Sequence, residues 1–145
     1  MAADAAATVT VRPTLTHLAL HVADLDACIA FYRDYCGMQL CHDRVDKGKR
    51  VVWLAEPGKE QQFIVVLIPG GPARAQPLTD FSHFGFALPD RASVNAIAER
   101  ARADGILVWE PRDEPPPVGY YCGVRDPDGN FVEFSFDQPI GTYSA

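Results

Sequence analysis

The chain has 145 residues, 48% of them hydrophobic and 22% charged, and carries a net charge of −6. That length supports a single domain with a core of its own, and the composition is that of an ordinary soluble globular protein. The acidic balance argues against nucleic acid as a partner, and no stretch is apolar for long enough to span a membrane.

Residues 1–13 read as a flexible tail, because the Ala- and Thr-rich start lacks the basic region and long apolar run of a signal peptide. Leu15–Val22 then alternates as a strand, with Leu18, Leu20 and Val22 on one face and His17, Ala19 and His21 on the other. Asp24 stands as an N-cap before Leu25, Cys28, Ile29, Tyr32, Tyr35 and Cys36 at helical spacing, and Gly37 closes that helix. Met38–Arg44, Arg50–Leu54 and Gln62–Ile68 are three further strands, separated by turn-rich pieces. Pro- and Gly-rich residues 70–80 form a linker.

After the linker the pattern restarts. Phe81–Leu88 alternates, with His83, Gly85 and Ala87 on one face. Asp90 caps a helix carrying Val94, Ile97, Ala98 and Ala101, and Gly105 ends it. Ile106–Trp109 begins the next strand, Glu110–Val118 is a Pro-rich loop, and Tyr120–Val124 leads into the Asp126-Pro127-Asp128-Gly129 turn. In the final strand Phe131, Glu133 and Ser135 share one face. The four cysteines show no paired spacing and suit free thiols in a reducing cytoplasm.

The chain is therefore an internal repeat of two β-α-β-β-β halves, residues 14–69 and 81–137, followed by a tail at 138–145. His17 matches His83 at an offset of 66, and Phe63–Val66 lies against Phe131–Phe134 at an offset of 68. The helix-side strand faces are apolar, which leaves the opposite faces for a concave surface. On it stand two histidines and a carboxylate, His17, His83 and Glu133. This is the donor set that holds a divalent metal on one edge and leaves adjacent positions open. His21 lies about 13 Å along the strand from His17, too far to bind the same ion, and is a candidate pocket base.

The segments Thr16–Leu25, Ile29–Tyr32, Phe81–Phe86 and Asp126–Glu133 resemble the vicinal oxygen chelate superfamily of glyoxalases, extradiol dioxygenases, fosfomycin-resistance and bleomycin-resistance proteins. The resemblance implies an α+β fold of two tandem βαβββ modules. Their mostly antiparallel sheet curls into a U around one metal ion, in a protein that is usually a homodimer. It implies His17, His83 and Glu133 as the metal ligands, with Fe(II) or Mn(II) favoured over Ni, Co or Zn. The family's optional fourth ligand falls at Val65, an apolar residue, which favours the three-ligand members. Gly123 stands where ring-cleaving members carry a tyrosine, and Tyr121 on the same face is the substitute acid or base. Small residues at Ala19, Gly85, Ala87 and Gly123 are expected to leave room near the metal. Phe63, Val65 and Phe131 are expected to line the substrate pocket, with Glu110 opening the Pro-rich rim. The reading that results is a metal enzyme acting on a small organic substrate through neighbouring oxygens, leaning to dioxygenase chemistry. A glyoxalase-type lyase or isomerase and a non-catalytic drug-binding protein are the alternatives.

Overall fold

The computed structural model describes residues 11–140, so most of the expected N-terminal tail and the end of the C-terminal tail lie outside the described residues. Each half carries the expected order of elements, β-α-β-β-β. The first runs β1 (His17–Val22), α1 (Leu25–Asp34), β2 (Gln39–Asp46), β3 (Lys49–Ala55) and β4 (Ile64–Pro69). The second runs β5 (His83–Ala87), α2 (Arg91–Ala103), β6 (Leu107–Glu114), β7 (Gly119–Arg125) and β8 (Phe131–Phe136). The Asp24 and Asp90 side chains accept hydrogen bonds from Ala27 N and Ser93 N, so each helix begins at the aspartate that its sequence marks. Gly37 and Gly105 follow the helices with positive φ. No helix among the described residues is long and apolar enough to cross a membrane.

The strands form two separate four-stranded sheets, ordered β1-β4-β3-β2 and β5-β8-β7-β6. Only β1–β4 and β5–β8 run parallel. Within one chain β1 and β5 are both edge strands, and the two sheets do not join into one. The helix-side faces of both halves meet in a shared core that includes Tyr32, Leu54, Leu67, Val94, Val132 and Phe134. On the opposite faces His17, Ala19 and His21 of β1 and His83, Gly85 and Ala87 of β5 are exposed.

One expected loop is a strand. β6 continues through Pro111 to Glu114, where the sequence reads as an irregular Pro-rich connection. Pro111 is tolerated because β6 is the outer strand of its sheet and its register with β7 slips between Trp109 and Arg112.

The Asp126–Gly129 turn joins the halves. Buried Asp126 accepts from Asp128 N and Asn130 N through Oδ1, and from the Tyr32 hydroxyl (2.6 Å) and Asn130 Nδ2 through Oδ2. Asp128 Oδ1 accepts from Ala23 N at 2.8 Å. Asp128 Oδ2 is buried without a hydrogen-bond partner. The linker crosses this turn: Arg74 N donates to Asp128 O, and the Arg74 carbonyl lies so close to Gly129 (φ 93°) that a Cβ there would collide with it.

Candidate metal and substrate site

Strand pairing places the site residues in rows. In the second half, Gly85 of β5 pairs with Glu133 of β8, which pairs with Gly123 of β7, which pairs with Trp109 of β6. Glu133 is 7% exposed, and its Oε2 lies 2.9 Å from His83 Nε2. Gln138 Nε2 donates to the other carboxylate oxygen at 2.8 Å. His83 Nδ1 sits 2.6 Å from the Phe81 carbonyl, which can only accept, so Nδ1 carries a proton. A neutral His83 then turns a lone pair toward a carboxylate oxygen. Two acceptors in contact call for a second proton or a cation. With metal–ligand bonds of roughly 2.1 Å, two ligands at right angles stand about 3.0 Å apart, so this pair fits adjacent positions on a metal ion.

His17 is not part of that pair. It lies on the other sheet with Nδ1 held by the Thr16 hydroxyl (2.9 Å), beside a groove of about 310 Å³ that Trp53, Gln62, Phe63 and Val66 help to line. Among the described residues of one chain, no group of three His, Cys, Asp or Glu side chains could hold a metal. The chain brings together two of the three expected ligands and holds the third apart.

The pairing corrects the match between the halves at their last strands. Ala19, the counterpart of Gly85, pairs with Val66, so Val66 rather than Val65 is the counterpart of Glu133, at an offset of 67. Val65 pairs with Leu18 and faces the core at 2% exposure, so it does not line the pocket; a one-residue slip reverses every side chain. The residue at the position remains apolar, so this half brings no carboxylate there. Trp53, paired with Val66, faces the groove beside His17.

Several other expectations change. Glu110 is turned away from the open face and pairs with Arg102 of α2 at 2.5 Å, because it follows Trp109 on an alternating strand. His21 stays on the open face of β1, but Gly70 and Gly71 crowd it, and a Cβ on Gly71 would strike the His21 backbone. It pairs with Ile68, one row beyond the Ala19–Val66 pair, on the sheet that does not carry His83 and Glu133. The room expected at Gly123 is filled, since the Trp109 ring lies against it so closely that a Cβ would clash.

Trp109 is the residue that the sequence does not single out. Its ring meets His83 edge-on at 5.3 Å, Phe131 at 5.5 Å and Tyr121 at 6.4 Å, all between centroids. Tyr121, paired with Ser135 one row from Glu133, stays on the site face. Its hydroxyl is pushed above the ordinary phenol range by desolvation and by the nearby Glu114 and Glu133 carboxylates, and Arg112 offsets this in part. Phe131 is fully buried and borders a cavity of about 460 Å³ beside His83 that Leu18, Leu20, Arg74, Gln76 and Phe84 also line.

A family model described as the Glyoxalase/Bleomycin resistance protein/Dioxygenase superfamily matches residues 14–134. The chain belongs to that superfamily. It is 65% identical over 129 residues to an uncharacterized protein of Pseudomonas aeruginosa, covering 89% of this chain and 92% of that one. It is 31% identical over 130 residues to a catechol-2,3-dioxygenase of Bacillus subtilis, covering 86% of this chain but 41% of the dioxygenase. Among solved structures, the fosfomycin-resistance protein FosX of Listeria monocytogenes superposes with a TM-score of 0.68 at 18% identity, over 91% of this chain and 96% of that one. Glyoxalase I of Leishmania major gives 0.65 at 22% identity, over 87% and 88%. These two likenesses establish the fold. One FosX structure in this group is described as a complex with Mn(II), so divalent metals are bound within the superfamily.

Proposed function

We propose that this protein is a metal-dependent enzyme whose site is shared between two copies of the chain. His83 and Glu133 of one copy and His17 of the other would hold one divalent ion, with Fe(II) or Mn(II) favoured. The observation that carries this reading is the split donor set. His83 and Glu133 converge at 2.9 Å on one open sheet face, while His17 stands at the equivalent place on the other, in a groove that Glu60 also lines, with no set of three donors around it among the described residues. β1 and β5 are unpaired edges, and apolar Leu15 and Phe81 beside them are 78% and 68% exposed. A two-fold dimer that covered these edges would bring each His17 toward the other chain's pair.

The reaction we favour is oxygenation of an aromatic substrate that chelates the ion through adjacent oxygens. The absence of a carboxylate at Val66, the aromatic wall of Trp109, Tyr121 and Phe131, and the likeness to a catechol dioxygenase support it. When bound, the metal supplies Lewis acidity and, as Fe(II), a place for O₂. The chain's own residues do the rest. The Phe81 carbonyl fixes the His83 tautomer, and Gln138 orients Glu133. Tyr121 and the edge of Trp109 face a flat ring and exclude water, with Phe131 packed behind Trp109. Tyr121, kept protonated at neutral pH, gives a proton to a substrate oxygen rather than taking one.

Metal analysis of protein purified without chelator, followed by oxygen uptake with catechols, tests this. Near-stoichiometric iron and oxygen consumption, both lost in Glu133→Ala, are expected. Turnover of a chelating substrate with a redox-inert metal and no oxygen would replace oxygenation by lyase or isomerase chemistry. Absence of metal, and no uptake of Fe(II), Mn(II), Ni(II) or Zn(II) on titration, would leave a drug-binding protein.

A further inference from the structure

The chain leaves β8 by a left-handed step. Glu133 and Ser135 lie buried on the site face of β8, and continued alternation would put Asp137 on that face and Gln138 on the opposite one. Instead Asp137 takes φ 70°, a conformation that aspartate tolerates but rarely adopts. The chain folds back there, and Gln138 reaches the carboxylate of Glu133, five residues earlier, at 2.8 Å. Gly119, at the start of β7, packs against this turn: a Cβ on it would strike the Phe136 carbonyl and crowd that of Asp137. Together the left-handed aspartate and the glycine that makes room for it bring one amide to one carboxylate oxygen.

The two oxygens of Glu133 therefore have different surroundings. Oε1 accepts from Gln138 Nε2, and Oε2 lies 2.9 Å from His83 Nε2. The Glu133 side chain is 9% exposed, so water has little access to take the place of Gln138. An ionised carboxylate only accepts, which fixes the Gln138 amide with its NH2 toward Glu133. A donor held on Oε1 draws on its charge and fixes the carboxyl plane, leaving Oε2 as the stronger ligand on the His83 side.

We infer that Gln138 is a positioning residue that holds Glu133 to a single-oxygen contact with the metal ion, and so sets how many positions on the ion stay open. The inference rests on the metal reading proposed above, but not on which chain supplies His17. An octahedral ion held through three donor atoms keeps about three positions open. A substrate that chelates through two neighbouring oxygens fills two of them and leaves one for a further small ligand. A glutamate that engages through both oxygens, as larger ions allow, would take that remaining position. Gln138 thus separates a site that only chelates its substrate from one that admits a second reactant beside it.

The test uses Mn(II) as the probe. Exchangeable waters on the ion are counted from the broadening of its electron paramagnetic resonance lines in oxygen-17 water, and the Kd of Mn(II) is measured on the same protein. Wild type is expected to hold about three waters and Gln138→Leu one fewer, with the Kd of Mn(II) within about tenfold of wild type. Asp137→Pro cannot take a positive φ and is expected to lose the same water, whereas Asp137→Gly takes it freely and keeps the wild-type count. This pair leaves the Gln138 side chain in place and changes only where it is aimed. An unchanged count in Gln138→Leu or Asp137→Pro, loss of Mn(II) from either, or a lowered count in Asp137→Gly would overturn the inference and leave the metal reading standing. No Mn(II) on wild type would remove both. A wild-type count of about four that falls by one in Gln138→Leu would sustain the inference and drop His17 from the site.

Discussion

Two adjacent valines have opposite fates at the level of single residues. Val66 lines the groove beside His17 and occupies the place that Glu133 holds in the other half, whereas Val65 points into the core. A carboxylate introduced at Val66 would enter a half-open site beside an imidazole, where a metal can compensate its charge. At Val65 it would be buried without a partner, which costs several kcal/mol. We expect Val66→Glu to fold and to tighten divalent-metal binding about tenfold or more by isothermal titration. Val65→Glu is expected to be insoluble or to melt far lower. Similar behaviour of the two variants would show that the β1–β4 register is wrong.

Among the elements, the Asp126–Gly129 turn does more than reverse the chain. Asp126 accepts four hydrogen bonds, one of them from Tyr32 of the opposite half, so the turn that begins the Glu133 strand also clamps the two halves together. The Tyr32 hydroxyl is held well above the ordinary phenol range by desolvation first and by Asp126 second, so at neutral pH it is a donor. Tyr32→Phe is expected to cost about 1.5–3 kcal/mol in denaturant unfolding, the worth of a hydrogen bond to a charged group. Asp126→Ala strands several buried donors and should cost more than Tyr32→Phe, with a lower yield of folded protein. Equal stability of Asp126→Ala and wild type would rule out the clamp. This element also marks what the sequence can disclose. Asp126, Pro127, Asp128 and Gly129 announce a turn, and alternation puts Glu133 on the face it occupies. Helix caps, the order of elements along each half and the facing of His17 and His83 are legible for the same local reasons. The Val65 assignment, the course of β6 past Pro111 and the position of Trp109 were hidden. Each depends on a loop length or bulge that shifts register by one residue, and local patterning carries no record of such a shift.

In the whole molecule, His83 and Glu133 meet on the open face of one sheet and His17 stands on that of the other. If the site is shared, loss of His17 and loss of Glu133 damage different chains of the same site. Homodimers of His17→Ala and of Glu133→Ala are expected to be inactive. Mixing them under subunit exchange should restore about a quarter of wild-type activity, because half of the dimers are mixed and each mixed dimer regains one site. No recovery after confirmed exchange would place all three ligands within one chain or discard the metal reading. The linker over residues 70–80 has a consequence of its own. It is no slack tether: Arg74 is bonded to the turn, Arg125 donates to the Gln76 carbonyl, and Phe131 N donates to Gln76 Oε1. The halves also hold one another through Arg100 with the Asp34 carbonyl and Tyr35 with Asp104. Covalent continuity between the halves is therefore a convenience of inheritance more than a mechanical need. A gene split just before the strap would still yield two polypeptides able to find each other, and each could then drift or be exchanged as a separate unit.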